Sequence, residues 1–122
     1  MDNRLTKSER LHSFGAIRRL FNEGRSGFVY PFRYIVYTEC DERMSAAVLF
    51  STPKRYHKRA NRRNLLRRRM REAYRLNKSL LTECGRNLRV EIAFIYSARE
   101  MLGYETIENG IKRIIQTVVG DM

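Results

Sequence analysis

The run KRANRRNLLRRRMREAYR, residues 58 to 75, sets nine Lys or Arg against a single acid, Glu72, within eighteen residues. Like charges at that density repel one another. The run is therefore either a solvated basic tail or one face of a folded element. A helical wheel at about 100° per residue decides between them. With Leu66 at zero, Met70, Ala73, Tyr74, Asn77, Leu80 and Leu81 fall within about 80° of it. Asn64, Arg67, Arg68, Arg71 and Arg75 fall between about 100° and 200°. Arg69 and Leu65 sit at the flanks. A tail has no reason to sort this way. The run dictates an amphipathic helix over about 61–81 that lays one stripe on a core and turns an arginine stripe outward.

The rest of the chain must supply that core. Its 122 residues and 43% apolar content suit one globular domain, residues 1–122. A first helix is expected over Ser13 to Glu23, with Ser13 as N-cap and Gly24 as a C-terminal stop. Ile17, Leu20 and Phe21 recur in it at helical spacing. A strand follows over Phe32 to Thr38, with Phe32, Tyr34 and Val36 on one face and Arg33, Ile35 and Tyr37 on the other. Both faces carry large side chains, so neither is plainly the solvent side. The polar segment Glu39 to Arg43 reads as a hairpin turn. The near-continuous apolar run from Ser45 to Ser51 reads as a central, well-covered strand. A further strand covers Leu88 to Tyr96. A last helix covers Tyr104 to Val119, with Ile107, Ile111, Ile114, Ile115 and Val118 as its core stripe. Helix, strand, strand, helix, strand, helix makes a small α/β sandwich, α+β in class, with helices packed on a sheet.

The arginine stripe then asks for a partner. Ordinary surface helices interleave Glu with Lys at i, i+4 to neutralise themselves. This stripe has no acid in it, and Glu72 lies off to the side. Across the chain 25 basic residues oppose 13 acidic ones, a net charge of +12. So strong a positive field points to a polyanion, most simply nucleic acid. Arginine's planar fork also suits phosphate and base edges. Lys54, Arg55, Lys58 and Arg59 extend the basic surface from the preceding loop. Phe28, Tyr30, Phe32, Tyr34 and Tyr37 crowd into ten residues of the first half. Such rings hold single-stranded nucleic acid or simply fill a core. His57, among cations, reads as a nucleic-acid contact rather than a metal ligand.

The negative signs are as informative. No metal-ligand motif, Gly-rich phosphate loop or nucleophile–base pair occurs. Cys40 and Cys84 lie far apart and read as reduced thiols. No apolar run approaches the about 20 residues of a membrane span. A membrane-surface helix is disfavoured too, because the core needs the apolar face. The expected setting is cytoplasmic, with no membrane partner. A general RNA-binding or ribosomal-type protein satisfies these observations as well.

Residues 54 to 74, KRYHKRANRRNLLRRRMREAY, strongly resemble the signature of the bacterial ribonuclease P protein subunit. That family shows a basic pair, an Ala, then R-N-R-x-K-R followed by x-x-R-E/Q-A-F/Y. Arg63, Asn64, Arg67, Arg68, Arg71, Glu72, Ala73 and Tyr74 fall at the matching positions without a gap. Leu65 departs from the pattern, replacing the third residue of the R-N-R triplet. Arg10 to Gly24 looks like the family's first helix.

The resemblance implies a mainly antiparallel sheet with a left-handed βαβ crossover through the arginine helix. The general rule for such crossovers is right-handed. It further implies that a catalytic RNA, requiring Mg²⁺, removes the 5′ leader from precursor tRNA, and that the protein supplies no catalytic residue and binds no metal or cofactor itself. Lys54, Arg55, Lys58, Arg59, Arg63, Asn64, Arg67, Arg68, Arg71 and Arg75 would face that RNA. Ile17, Phe21, Ile35 and Tyr37 would line a cleft for the leader, with Arg67 and Arg71 at its edge. One protein monomer per RNA is the implied assembly.

Overall fold

In the computed structural model, which describes residues 9–122, a four-stranded sheet carries helices on both faces. Positions 1–8 of the polar N-terminus lie outside the described residues. The order is α1 (Phe14–Glu23), β1 (Arg25–Val29), β2 (Phe32–Cys40), β3 (Ser45–Ser51), α2 (Ala60–Asn77), α3 (Ser79–Thr82), β4 (Leu88–Tyr96) and α4 (Tyr104–Asp121). The strands lie in the order β1-β2-β4-β3. β2 pairs antiparallel with β1 and with β4, and β3 runs parallel to β4. This is an α+β fold on a mainly antiparallel sheet.

Two strand expectations are corrected. Glu39 to Arg43 is not a hairpin turn, because β2 and β3 never pair: β4 inserts between them. β3 is not central either, but the outer strand beside β4. Its apolar run has another cause. Both its faces are covered, and Leu11 N–H donates to the Val48 carbonyl at 2.8 Å along its free edge. The sequence reading also passed over β1. This short strand contains Gly27 and is largely exposed, so alternation could not reveal it.

Strand alternation divides the core in two. Phe32, Val36, Ala46, Val48, Val90, Ile92, Phe94 and Tyr96 face α2, α3 and α4 in the larger cluster. The stripe of α4 expected from sequence, Ile107 to Val118, is buried there throughout. On the opposite face Ile35, Ala47 and Ala93 meet Leu11 and Leu20, with Ile17, Tyr37, Leu49 and Ile95 packed around them.

The long helix expected over 61–81 is interrupted at Lys78. The Asn77 side-chain amide donates to the Ala73 carbonyl at 2.8 Å in the last turn of α2. Hydrogen bonding restarts from the Lys78 carbonyl. Leu81 stays buried, whereas Leu80, expected on the inner stripe, is 43% exposed. Gly24 ends α1 as expected, with φ −75° and extended backbone. A Cβ there would lie 2.7 Å from Ile35 Cγ2 and 2.9 Å from the Val36 carbonyl oxygen, so glycine is needed for close approach to β2.

One buried charge ties α1 to the sheet. Glu91, on β4, is 1% exposed. Its carboxylate accepts from Arg19 Nη2 at 3.1 Å and from Arg89 Nε at 3.2 Å. The Glu91 hydrogen bond raises the Arg19 pKa, with burial opposing it. Glu91→Ala would remove the carboxylate that both guanidiniums share, leaving Arg19, among the described residues, only the Glu39 carboxylate at 3.8 Å. Each keeps about a third of its side chain in water (34% and 31%), so the expected loss is about 2 kcal/mol, below that of a fully buried pair. Urea denaturation measures it, and a loss under about 0.5 kcal/mol would show the cluster to be dispensable.

Candidate nucleic-acid interface

The inner stripe of α2 fixes where its arginines point. Leu66, Met70, Ala73 and Tyr74 are all 0% exposed. The Tyr74 ring meets Phe94 and Phe50, each with centroids 6.1 Å apart. The opposite side must then face water. There Asn64, Arg67, Arg68 and Arg71 line a surface depression of about 320 Å³ that holds no carboxylate. Arg67 donates to the Asn64 side-chain oxygen, which leaves the Asn64 amide nitrogen as an outward donor.

Other cations of the run are already engaged. Arg75, expected in the outward stripe, donates to Glu72 from Nε at 3.1 Å and from Nη2 at 2.5 Å. That hydrogen bonding holds the Glu72 carboxyl below its ordinary pKa. Glu72 therefore neutralises one edge of the stripe, rather than standing aside from it. Arg63 turns toward the loop before α2 and donates to the carbonyls of His57 and Lys58 at 3.1 and 2.7 Å. Arg69, at the flank of the wheel, donates to the Leu102 carbonyl at 2.7 Å. Leu65 is half-buried on the other flank.

Of the loop residues, Lys54, Arg55, Lys58 and Arg59 are all exposed. Arg55 also lies over the Tyr56 ring, 5.0 Å from its centroid. His57 corrects its expected role as a nucleic-acid contact. It is 3% exposed, with Nε2 2.8 Å from the Ala98 carbonyl oxygen and its ring against Tyr96. Its polar atoms hold the loop to the end of β4 instead.

Beside the stripe, a groove of about 350 Å³ is lined by Arg10, Leu11, His12, Val48, Leu49, Phe50, Arg67 and Arg71. Arg67 and Arg71 thus belong to both depressions and join them. Arg10 and His12 lie before α1, which starts at Phe14, and neither is among the expected site residues. Only the pairing of the N-terminal segment with β3 brings them to α2.

On the sheet face away from α2, Ile17, Ile35 and Tyr37 share one cluster. Phe21 stands outside that cluster, 46% exposed on α1. The Tyr37 ring lies under Arg19, with 4.6 Å between guanidinium carbon and centroid, and its hydroxyl donates to Glu39 at 3.3 Å. Of the crowded aromatics, Phe32 is core, whereas Phe28 and Tyr30 are 60% and 52% exposed. Among the described residues no group of three or more His, Cys, Asp or Glu is placed to hold a metal ion. No helix among them is long and apolar enough to cross a membrane. Cys40 and Cys84 are both free thiols.

Comparison with known proteins follows the same lines. The family model described as Ribonuclease P matches residues 5–119. The ribonuclease P protein component of Porphyromonas gingivalis is 34% identical over 121 residues, covering 97% of this chain and 88% of its own. That of Chlorobaculum tepidum is 35% identical and covers 80% of this chain and 70% of its own. Among solved structures, the RNase P protein of Thermotoga maritima superposes with a TM-score of 0.68 at 19% identity, covering 89% of this chain and 96% of its own. The RNase P protein of Staphylococcus aureus gives 0.64 at 18% identity, covering 92% and 96%.

The pairing pattern predicts unequal arginines. On a polyanion such as heparin, Arg68→Ala should lower the slope of log affinity against log salt by about one. Arg75→Ala should lower it by much less, because Glu72 already neutralises that cation. Equal changes would mean that the Glu72–Arg75 pair opens on binding.

Proposed function

Since the chain belongs to the ribonuclease P protein family, we propose that it is the protein subunit that helps a catalytic RNA remove the 5′ leader from precursor tRNA. The observation that carries this reading is the acid-free depression of Asn64, Arg67, Arg68 and Arg71, joined through Arg67 and Arg71 to a groove along the sheet. In this reading the stripe docks on the catalytic RNA, with Lys54, Lys58 and Arg59 extending it. Arginine forks satisfy phosphates, and binding relieves the mutual repulsion that the free protein carries.

The leader lies in the cleft between α1 and the sheet, against Ile17, Phe21, Ile35 and Tyr37. The bond cleavage belongs to the RNA. The Mg²⁺ it requires would sit at RNA phosphates, since the stripe offers no carboxylate to ligate it. One protein binds one RNA. The protein's part is to hold the substrate and to lower the repulsion between two RNA molecules. A general RNA-binding role is not favoured, because the family match spans nearly the whole chain.

Single-turnover cleavage of a precursor tRNA by the cognate RNA at low Mg²⁺, with and without the protein, tests this directly. The protein should raise substrate affinity, cleavage rate or both. No change in either would remove the reading. Phe21→Ala, at an exposed position, should weaken binding of leader-bearing substrate by about tenfold, the scale of one lost base stack. Binding of mature tRNA should be unchanged.

A further inference from the structure

The sheet register extends the cleft face beyond α1. Residues paired across strands share a face, so Phe28, Arg33, Ile95 and Ser51 form one transverse row. The next row is Ser26, Ile35, Ala93 and Leu49, followed by Tyr37, Glu91 and Ala47. α1 covers the second and third rows, through Leu20 and Ile17. The first row lies about 7 Å further along, two residues up each strand. There Phe28, Arg33, Arg55, Tyr56 and Ser97 enclose a depression of about 200 Å³.

Its composition is selective. Two rings and two guanidiniums line it, and no carboxylate does. Arg55 sits over Tyr56, 5.0 Å from the ring centroid, and adds a cation to that aromatic surface. Phe28 leaves 60% of its surface in water on an edge strand, a costly place for a ring that nothing in the described chain covers. Aromatic faces beside arginine forks hold unpaired bases and their phosphates together. The row is also continuous with the proposed leader cleft through Ile95 and Leu49, and Leu49 lines the groove of Arg67 and Arg71. That continuity favours a single RNA strand over a protein segment as the occupant.

We infer that Phe28, Arg33, Arg55 and Tyr56 form a second base-stacking site, which takes a nucleotide of the single-stranded 5′ leader further upstream than those held beside α1. This rests on the leader-binding reading above. The strand would run from the Arg67 and Arg71 groove, across the sheet face beside α1, and end on Phe28 at the β1 edge. Arg55 therefore serves the leader rather than the catalytic RNA.

Leader length separates the two sites. Precursor tRNAs with leaders lengthened one nucleotide at a time are titrated against the complex of protein and cognate RNA. With wild-type protein, affinity should climb and then level off. Phe28→Ala and Arg33→Gln should each level off at a shorter leader, about tenfold weaker on long leaders. Both should match wild type on short leaders and on mature tRNA. Both positions are exposed, so thermal melting should be unchanged. Variants that follow the wild-type curve at every length would overturn the second site. So would equal weakening on every substrate, which would assign the pocket to the catalytic RNA. A wild-type curve with no leader dependence would instead remove the leader-binding reading itself.

Discussion

The rotational setting of α2 is the constraint on which the rest of this molecule depends. Leu66, Met70, Ala73 and Tyr74 lock it against the sheet with no exposed surface. A turn of one residue, about 100°, would carry an arginine into the core. Burying that cation unpaired would cost several kcal/mol. The outward direction of Arg67, Arg68 and Arg71 is thus enforced by packing, with no contact among the arginines themselves. The two cations that packing turns inward, Arg63 and Arg69, are satisfied by backbone carbonyls of the loop before α2 and of the loop between β4 and α4. They anchor the helix to both of these loops.

The sheet face away from α2 follows a different rule. α1 has only ten residues and covers part of that face. It is held by Leu20 and by the buried Glu91 between Arg19 and Arg89. What α1 leaves open is a row of aromatic, basic and small polar side chains, and beyond the β3 edge lies the Arg67–Arg71 groove. A larger helix would bury more apolar surface and close this path. The molecule forgoes that stability and keeps an open polyanion surface, as the uncompensated arginines also do.

How much of this was legible in the sequence depended on distance along the chain. The candidate stripe of Asn64, Arg67, Arg68 and Arg71 was readable because a helix repeats every 3.6 residues and one segment contains the whole stripe. The fate of Arg75 was not, because its pairing with Glu72 is a choice of side-chain rotamer rather than of period. His57 was misread for a similar reason. Its cationic neighbours in sequence are exposed, while its neighbours in space are Tyr96 and Ala98. The Phe28 depression draws on β1, β2, the loop after β3 and the end of β4, so no local pattern marks it.

The sequence by itself determined the buried face of α2 and of α4 and which residues of β2, β3 and β4 share a side. Those properties follow from the fixed periods of helix and strand, and apolar burial enforces them locally. The strand order was left to the tertiary structure. β3 and β2 are consecutive and each could pair with the other, yet β4 is largely buried on both faces and lies between them. Only the packing of α2 and α4 on one side and α1 on the other rewards that arrangement. The same packing determined that the arginine stripe, Arg10 from the N-terminal segment and Phe28 from an unpredicted edge strand come to lie around one sheet. Contacts between segments tens of residues apart have no period to announce them, and they exist only once the core has closed.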